Sequence, residues 1–544
     1  MFKNLLDAVT ATPQTERALG RADQVKNNAG GYVFALDCWQ RLDRFLILGS
    51  DAPTYYASAR SLTVDNAGVV LECAAADGPR TVDTIVGVSR DGRAPRNDAA
   101  IFALALTAKR ATAVDTRRAA LAAMPKVCRT GTHLFKFVSA VRALGGFGRG
   151  TRRALARWYT SRAPESLAYQ LVKYRQREGW SHRDVLRMAK PSGYWPASHE
   201  SAVEATSAHG DLFTYATKGT LADGPHMALP RAVEVAKASP LTGVSAGLPW
   251  EALPSESLKD PKTWRGLLDA GGLPLGAMLR NLGRMTANGA LQPLGDYTAK
   301  VCAALTDPEA LKRARLHPLA ILVALNVYRR GSGVRGSLTW RPIQQIEAAL
   351  DRAFYLAFDS IPSTDKRWLL ALDVSGSMAG GEIAGMTGVT PRVGSAAMAL
   401  ATAKREPRHH FVAFSEGPGR WHGPAKITPL NIHSGMSLAD AVHEVSGLPF
   451  GATDCAQPIL WALENRVVTD VFVIYTDNET CHGRIHPFEA LKRYRREVNP
   501  GAKLIVVGMT ATGFTIADPT DAGMLDMVGF DTAAPGIMAE FASA

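Results

Sequence analysis

The 544-residue chain holds only six cysteines, Cys38, Cys73, Cys128, Cys302, Cys455 and Cys481, with no C-x-x-C pair and no repeated spacing. Neither a disulfide framework nor a cysteine zinc site is indicated, and the six read as buried thiols in a reducing compartment. Long apolar runs are missing as well. The longest, residues 99–108, stops at Lys109 far short of a bilayer span, and the first twenty residues have no apolar core of signal-peptide length. These absences predict a cytoplasmic protein with no membrane partner. Catalytic signatures are equally scarce: the chain has no H-E-x-x-H, no P-loop and no carboxylate cluster spaced for two-metal nuclease chemistry. Gly243-Val244-Ser245-Ala246-Gly247 satisfies the hydrolase elbow pattern but no strand leads into it, and residues 331–336 (GSGVRG) follow a helix and read as its terminating turn.

What is present is an ordinary globular composition, 46% apolar and 21% charged, enough for two to four domains. The charge is unevenly spread. Residues 1–365 hold 47 Lys and Arg against 32 Asp and Glu, a net +15, whereas residues 366–544 hold 15 against 18, a net −3. Within the first part, residues 126–190 carry 15 basic residues against Glu165, Glu178 and Asp184, so this window's +12 equals the net charge of the whole chain. Such a block attracts polyanions. Interleaved Trp158, Tyr159, Tyr169, Tyr174 and Trp180 suit an ordered nucleic-acid surface. The candidate RNA-binding residues are Lys136, Arg142, Arg149, Arg152, Arg153, Lys173, Arg177, His182, Arg187 and Lys190, with Arg149, Arg152 and Arg153 read as a flexible arginine loop after the glycines of residues 145–150.

Apolar positions recur at spacings of three and four over residues 99–109, 116–124, 151–158, 165–175 and 316–328, which predicts helices, and strand-like alternation is nearly absent before residue 360. Punctuation at Pro125, 145–150, 192–196, 248–254 and 271–274 cuts the helices every 15–30 residues, the rhythm of stacked helix pairs. Near residues 361–364 the pattern changes to short apolar runs, 368–373, 410–414, 471–475 and 503–508, separated by amphipathic segments. That is the mark of a parallel sheet with helices on both faces, a doubly wound α/β unit, and the expected domains are 1–363 and 364–544. Ligands of such sheets sit beyond the carboxyl ends of the strands.

At the end of the first of these strands stands Asp373-Val374-Ser375-Gly376-Ser377, a D-x-S-x-S turn offering one carboxylate and two hydroxyls. Thr453 and Asp477, from two further strand-end loops, complete five oxygen donors. A hard cation such as Mg²⁺ or Mn²⁺ wants oxygen ligands and keeps some waters when only one or two are carboxylates. N-capping alone is the plainer reading of an isolated Asp and Ser at such a turn, and three loops in this order argue against it.

This set resembles the metal-ion-dependent adhesion site of von Willebrand factor A domains. The rest of the chain resembles one family, the Ro autoantigens, RNA-binding proteins that join a TROVE module to a C-terminal A domain. The likeness is carried by residues 30–33 (GGYV), 41–46 (RLDRFL), 132–135 (THLF), 173–182 (KYRQREGWSH), 279–285 (LRNLGRM), 331–342, 451–455 (GATDC), 476–480 (TDNET) and 513–530. The Ala-, Gly- and Arg-rich usage is that of a bacterial member. The resemblance implies a ring of HEAT-like helical repeats closed by the A domain, Y-like small RNA on the basic outer surface, single-stranded ends of misfolded RNA in the ring's hole, and an exoribonuclease as a partner. Lys173, Arg177 and His182 fall in the segment that resembles the RNA-facing part of the family, and Lys190 stands about where animal relatives place a histidine. The expected function is a non-enzymatic RNA scaffold for quality control or processing, with an acidic protein ligand completing the metal site. The rivals are a metal-dependent protein-binding adaptor without RNA function and a Mg²⁺-dependent RNA-processing enzyme. The first gives no reason to concentrate +12 in 65 residues, and the second has only two carboxylates and no general base nearby in sequence except Asp454 and Glu479.

Overall fold

The computed structural model describes residues 11–49, 59–191, 207–334, 336–357, 363–383, 386, 388–416, 425–448 and 451–544. The expected punctuation at 192–196, the first ten residues and positions 361–362 of the expected boundary lie outside the described residues. From Cys38 to Leu356 the chain is predominantly helical, and the periodic segments appear as Asp98–Arg110, Val114–Val127, Arg149–Thr160, Pro164–Lys173 and Pro318–Arg330. Local chemistry sets their starts. The Asp37 side chain accepts from the Gln40 amide, that of Thr130 accepts from the His133 amide, and proline fills the first turn of Pro164–Lys173, Pro308–Ala314 and Pro318–Arg330. Asp98–Arg110 packs on both Val114–Val127 and Gly131–Ala143, and Val114–Val127 in turn on Arg149–Thr160, so packing repeatedly reaches the next helix but one. Gly331, with φ 70°, caps Pro318–Arg330, as a helix-ending turn requires.

Two short sheets interrupt this part against the expectation of none. Strands β1 (Gln24–Lys26) and β2 (Tyr32–Ala35) form one with a later strand, and β3 (Gln176–Arg177) and β4 (Trp180–Ser181) form a hairpin. At its tip Glu178 and Gly179 both have positive φ, the two-residue turn that matches strand twist, so the helix expected to run to residue 175 ends at Lys173.

The C-terminal sheet has six strands in the order β11-β9-β8-β5-β6-β7, where β5 is Trp368–Asp373, β6 His409–Glu416, β7 Ala425–Pro429, β8 Val471–Thr476, β9 Lys503–Gly508 and β11 Met524–Val528. All neighbours are parallel except the β6–β7 edge pair. Successive residues of each strand point to opposite faces. Leu370, Leu372, Val473, Tyr475, Ile505 and Val507 share one core with the helix Pro391–Ala403. Leu369, Ala371, Phe472, Ile474, Leu504 and Val506 share the other with Gln457–Glu464 and Pro487–Glu497. Helices on both faces explain why the strands are continuously apolar. Strands β7 and β11 were not expected, because each carries polar residues and one neighbour only.

The expected division at 363/364 puts the start of the chain with the helices, but the structure pairs it with the C-terminal unit. β2 lies between β1 and β10 (Phe514–Thr515), and Val33 and Phe34 enter the second core. Buried Arg44 reaches Asp526 at 2.5 Å and the Phe514 carbonyl at 3.1 Å. Further along, Arg93 pairs with Asp531 at 2.6 Å. From the far end of the helical part, His317 Nε2 donates to the Phe530 carbonyl (2.7 Å) and the Arg93 carbonyl (3.2 Å), while its Nδ1 accepts from the Leu319 amide. Two positions of the helical part that are 224 residues apart thus meet the same loop of the C-terminal unit, and the chain closes on itself.

Candidate metal centre and nucleic-acid interface

β5 is buried along its whole length and ends on Asp373, which is fully buried. Its Oδ1 accepts from the Ser375 amide at 2.9 Å and its Oδ2 from Thr476 Oγ1, at the end of β8, at 2.7 Å. Ser375 Oγ and Ser377 Oγ lie 3.1 Å apart on the short turn that follows. Asp477, one residue beyond β8, accepts from the Glu479 amide at 3.0 Å through Oδ1, while its Oδ2 is buried with no hydrogen-bond partner. Thr453 is brought alongside by its carbonyl, which accepts from the amides of Cys481 (3.1 Å) and His482 (3.2 Å). All five donors named from the sequence are buried in loops tied to one another, although Thr453 stands between the helices Leu438–Ser446 and Gln457–Glu464 rather than after a strand as expected.

The electrostatics follow from this crowding. Burial, with the charges of Asp373 and Glu479 nearby, pushes the Asp477 carboxyl up to about 8. Burial also raises Asp373, although the hydroxyls of Ser375 and Thr476 and the Arg392 guanidinium oppose the shift. Without a cation this crowding favours the protonated form of Asp477, whose Oδ2 is orphaned; a cation among these oxygen donors would favour the charged form of both carboxylates. Among the described residues no three His, Cys, Asp or Glu side chains converge as a metal cluster.

Several supporting residues escaped the sequence reading. Arg392 donates to the carbonyls of Val374 and Ser375 and so braces the D-x-S-x-S turn from below. The chain's first strands supply the others. Asn28 Nδ2 donates to Glu479 at 2.7 Å, Asn27 Nδ2 to the carbonyls of Thr480 (2.7 Å) and Asn478 (3.1 Å), and Gln14 Nε2 to Asp454 at 2.7 Å. A Cβ on Gly31 would lie 1.9 Å from the Thr480 carbonyl oxygen, so glycine is required there. The GGYV motif was the available signal.

The basic window forms the helices Gly131–Ala143, Arg149–Thr160, Pro164–Lys173 and His182–Ala189 together with the β3–β4 hairpin. Arg142, Arg149, Arg152, Arg177 and Arg187 are exposed, and none has a carboxylate within ion-pair distance among the described residues. Arg153 and Lys190 are exposed too, Lys190 as the left-handed cap of its helix. Arg149, Arg152 and Arg153 stand on the first turns of a helix rather than in a flexible loop. Lys136 is partly neutralised by Asp98 at 2.7 Å. Lys173 is half-buried, its Nζ 3.0 Å from Tyr169 Oη; burial works against its charge, but that hydroxyl, Tyr174 and Glu251 more than compensate and raise its pKa.

His182 is placed differently from the others. It is 3% exposed, packed against Phe135, Trp158 and Tyr159, with Nδ1 2.9 Å from Tyr159 Oη, and burial pulls it down to about 3. It is a neutral packing residue here and offers no atom to a surface ligand. Trp158 and Tyr159 are likewise fully buried and are not stacking platforms, whereas Tyr169, Tyr174 and Trp180 are half-buried, with the Arg142 guanidinium 5.5 Å from the Trp180 ring centre.

A long helical region closed by an A-type α/β unit, with oxygen donors at the strand ends and a basic face on the helices, defines the TROVE class of proteins. The chain belongs to the Ro60 family: the TROVE domain model matches residues 25–223 and 244–327, and the Ro60 vWA domain model matches residues 367–542. It is 42% identical over 544 residues to the RNA-binding protein RO60 of Deinococcus radiodurans, covering 99% of both chains. It is 37% identical over 592 residues to the RNA-binding protein RO60 of Caenorhabditis elegans, covering 95% of this chain and 90% of that one. The crystal structure of the Deinococcus radiodurans RO (RSR) protein matches with a TM-score of 0.67 at 40% identity, over 93% of this chain and 99% of that one. Among the described residues no helix is long and apolar enough to cross a membrane.

Proposed function

We propose that this protein is a non-enzymatic RNA-binding scaffold that holds structured RNA by its phosphates on the basic helical surface. The carrying observation is the row of exposed arginines, Arg142, Arg149, Arg152, Arg177 and Arg187, without carboxylate partners among the described residues. Unpaired cations in such density cost self-repulsion in the free protein, and a phosphate backbone relieves it. The relatives named as RNA-binding proteins support the reading. In its finer form, the scaffold works in the cytoplasm, carries a Y-like small RNA outside, receives single-stranded ends of misfolded RNA in the ring, and hands RNA to an exoribonuclease.

The second part of the proposal is a Mg²⁺ or Mn²⁺ site made by Asp373, Ser375, Ser377, Thr453 and Asp477. The orphaned Asp477 Oδ2 and the all-oxygen donor set fit such an ion. When bound, it supplies a Lewis-acidic position for the carboxylate of a protein ligand. Asp373 and Asp477 provide charge, the hydroxyls provide neutral donors, and Arg392, Asn28 and Asn27 hold the loops.

The two activities are separable, because the metal loops lie in the acidic unit and the arginines in the basic one. With the full chain, Asp373→Ala should abolish Mn²⁺ binding in calorimetry and leave affinity for a structured RNA within roughly a factor of three. Lys173→Glu with Arg177→Glu should weaken that RNA at least tenfold and leave Mn²⁺ binding intact. RNA binding lost by a folded Asp373→Ala variant would place the metal in the RNA interface. Unchanged RNA affinity in the double variant would remove the basic surface from it.

A further inference from the structure

Beside the Lys173–Arg177 segment lies a cleft of about 650 Å³ whose lining includes Arg177, Trp250, Glu251, Leu253, Leu258 and Arg284. Separate pieces of chain build it: the β3–β4 hairpin, the turns Trp250–Ala252 and Ser257–Lys259, the end of the helix Leu275–Ala287, and Leu338. The leucines and the Trp250 ring, itself tilted against Trp264 with centres 6.0 Å apart, make an apolar floor.

Two polar atoms lie just under that floor. Trp250 Nε1 and Glu251 Oε2 are both shut off from solvent and have no hydrogen-bond partner. A buried donor or acceptor left in that state is unfavourable, so each wants a partner. The Glu251 carboxylate has no ion-pair partner among the described residues, whereas Glu256, on the same rim, is paired with Lys259 at 2.7 Å. Arg177 and Arg284 are exposed at the mouth and have no carboxylate partner among the described residues either. Glu251 Oε2 makes no hydrogen bond that would hold it, so a change in the aliphatic torsions of the side chain turns it into the cleft beside Oε1.

We propose that this cleft takes one unstacked guanine of the bound RNA, its face on Trp250, its Watson–Crick edge on Glu251 and its flanking phosphates on Arg177 and Arg284. The inference rests on the RNA-binding reading and adds base selectivity to it. Guanine is the base that fits a carboxylate best, because N1–H and N2–H stand side by side as two donors for the two oxygens. Adenine and cytosine place a ring acceptor beside their amino group, which repels the carboxylate. Uracil offers one N–H between two carbonyls. Aromatic stacking is sequence-tolerant, so Trp250 adds affinity for every base while Glu251 chooses among them.

The test uses the full chain and an RNA hairpin with a uridine tail carrying three guanines, compared with the same RNA carrying inosine or adenine at those positions. Wild type should bind the guanine tail at least fivefold tighter than the adenine tail, with inosine, which lacks the N2 amino group, in between. Glu251→Gln should abolish that difference while keeping affinity for the hairpin without a tail. Trp250→Leu should weaken guanine and adenine tails alike. Equal affinity of wild type for guanine and adenine tails, or a Glu251→Gln variant that still discriminates, overturns the proposal and leaves RNA binding standing. Failure of the tailless hairpin itself to bind overturns the RNA-binding reading and this one with it.

Discussion

At the scale of single residues the two candidate sites differ in how far the sequence exposes them. The oxygen donors of the metal loops follow strands that are unbroken apolar runs, so position and chemistry can be read together. His182 cannot be read that way, since a histidine after a capping serine looks the same whether it faces outward or, as here, inward among Phe135, Trp158 and Tyr159. Its burial has a measurable consequence. His182 and His317 are held neutral, at about 3 and about 4, against about 6.5 in an unfolded chain. Below pH 6.5 the unfolded state takes up protons that the folded state refuses. The stability these groups contribute is therefore complete above pH 6.5 and drains as pH falls toward 4 and 3. By pH 5 the loss is about 2 kcal/mol for each. Urea unfolding at pH 7 and pH 5 should show a shallower pH dependence in His182→Gln and in His317→Gln than in wild type. An unchanged dependence would mean that neither ring is desolvated. His182→Ala should also cost about 2–3 kcal/mol of stability, yet leave RNA affinity of the folded variant within about threefold.

At the scale of elements, helices were legible because a period of 3.6 needs only local sequence, and central strands because burial on both faces makes them uniformly apolar. The N-terminal strands were not legible: three or four residues long, they find β10 and the metal loops more than 400 residues away. The hairpin at Gln176–Ser181 was missed for a related reason, its two-residue strands being too short to alternate. The N-terminal strands nevertheless seal the second core of the A unit. Phe34 is 2% exposed and packs edge-on against Phe488 with centres 5.5 Å apart. Phe34→Ala in the full chain should therefore cost about 3–4 kcal/mol. A denaturant titration that detects less than 1 kcal/mol would show that the N-terminal segment only drapes over the unit. The same geometry implies that a fragment beginning at residue 364 lacks part of its own core, which is why the metal titrations belong on the whole chain.

At the scale of the molecule, the charge split seen in the sequence becomes a division of labour. The basic helical part and the acidic α/β part are locked together through Arg93, His317 and the loop of Phe530 and Asp531. Attraction of RNA to the first part is long-ranged and screened by salt, whereas a cation bound in the second would be held by short-range coordination. The most direct test of the account is the salt dependence of RNA affinity for the full chain, wild type against Lys173→Glu with Arg177→Glu. Each phosphate neutralised contributes a slope of about −0.7 to −0.9 in log K against log salt. The account predicts a steep wild-type slope, made shallower by about 1.5 in the double variant and left unchanged by Asp373→Ala. A flat wild-type slope, or one that the double variant does not alter, would contradict the claim that these residues bind RNA through its phosphates.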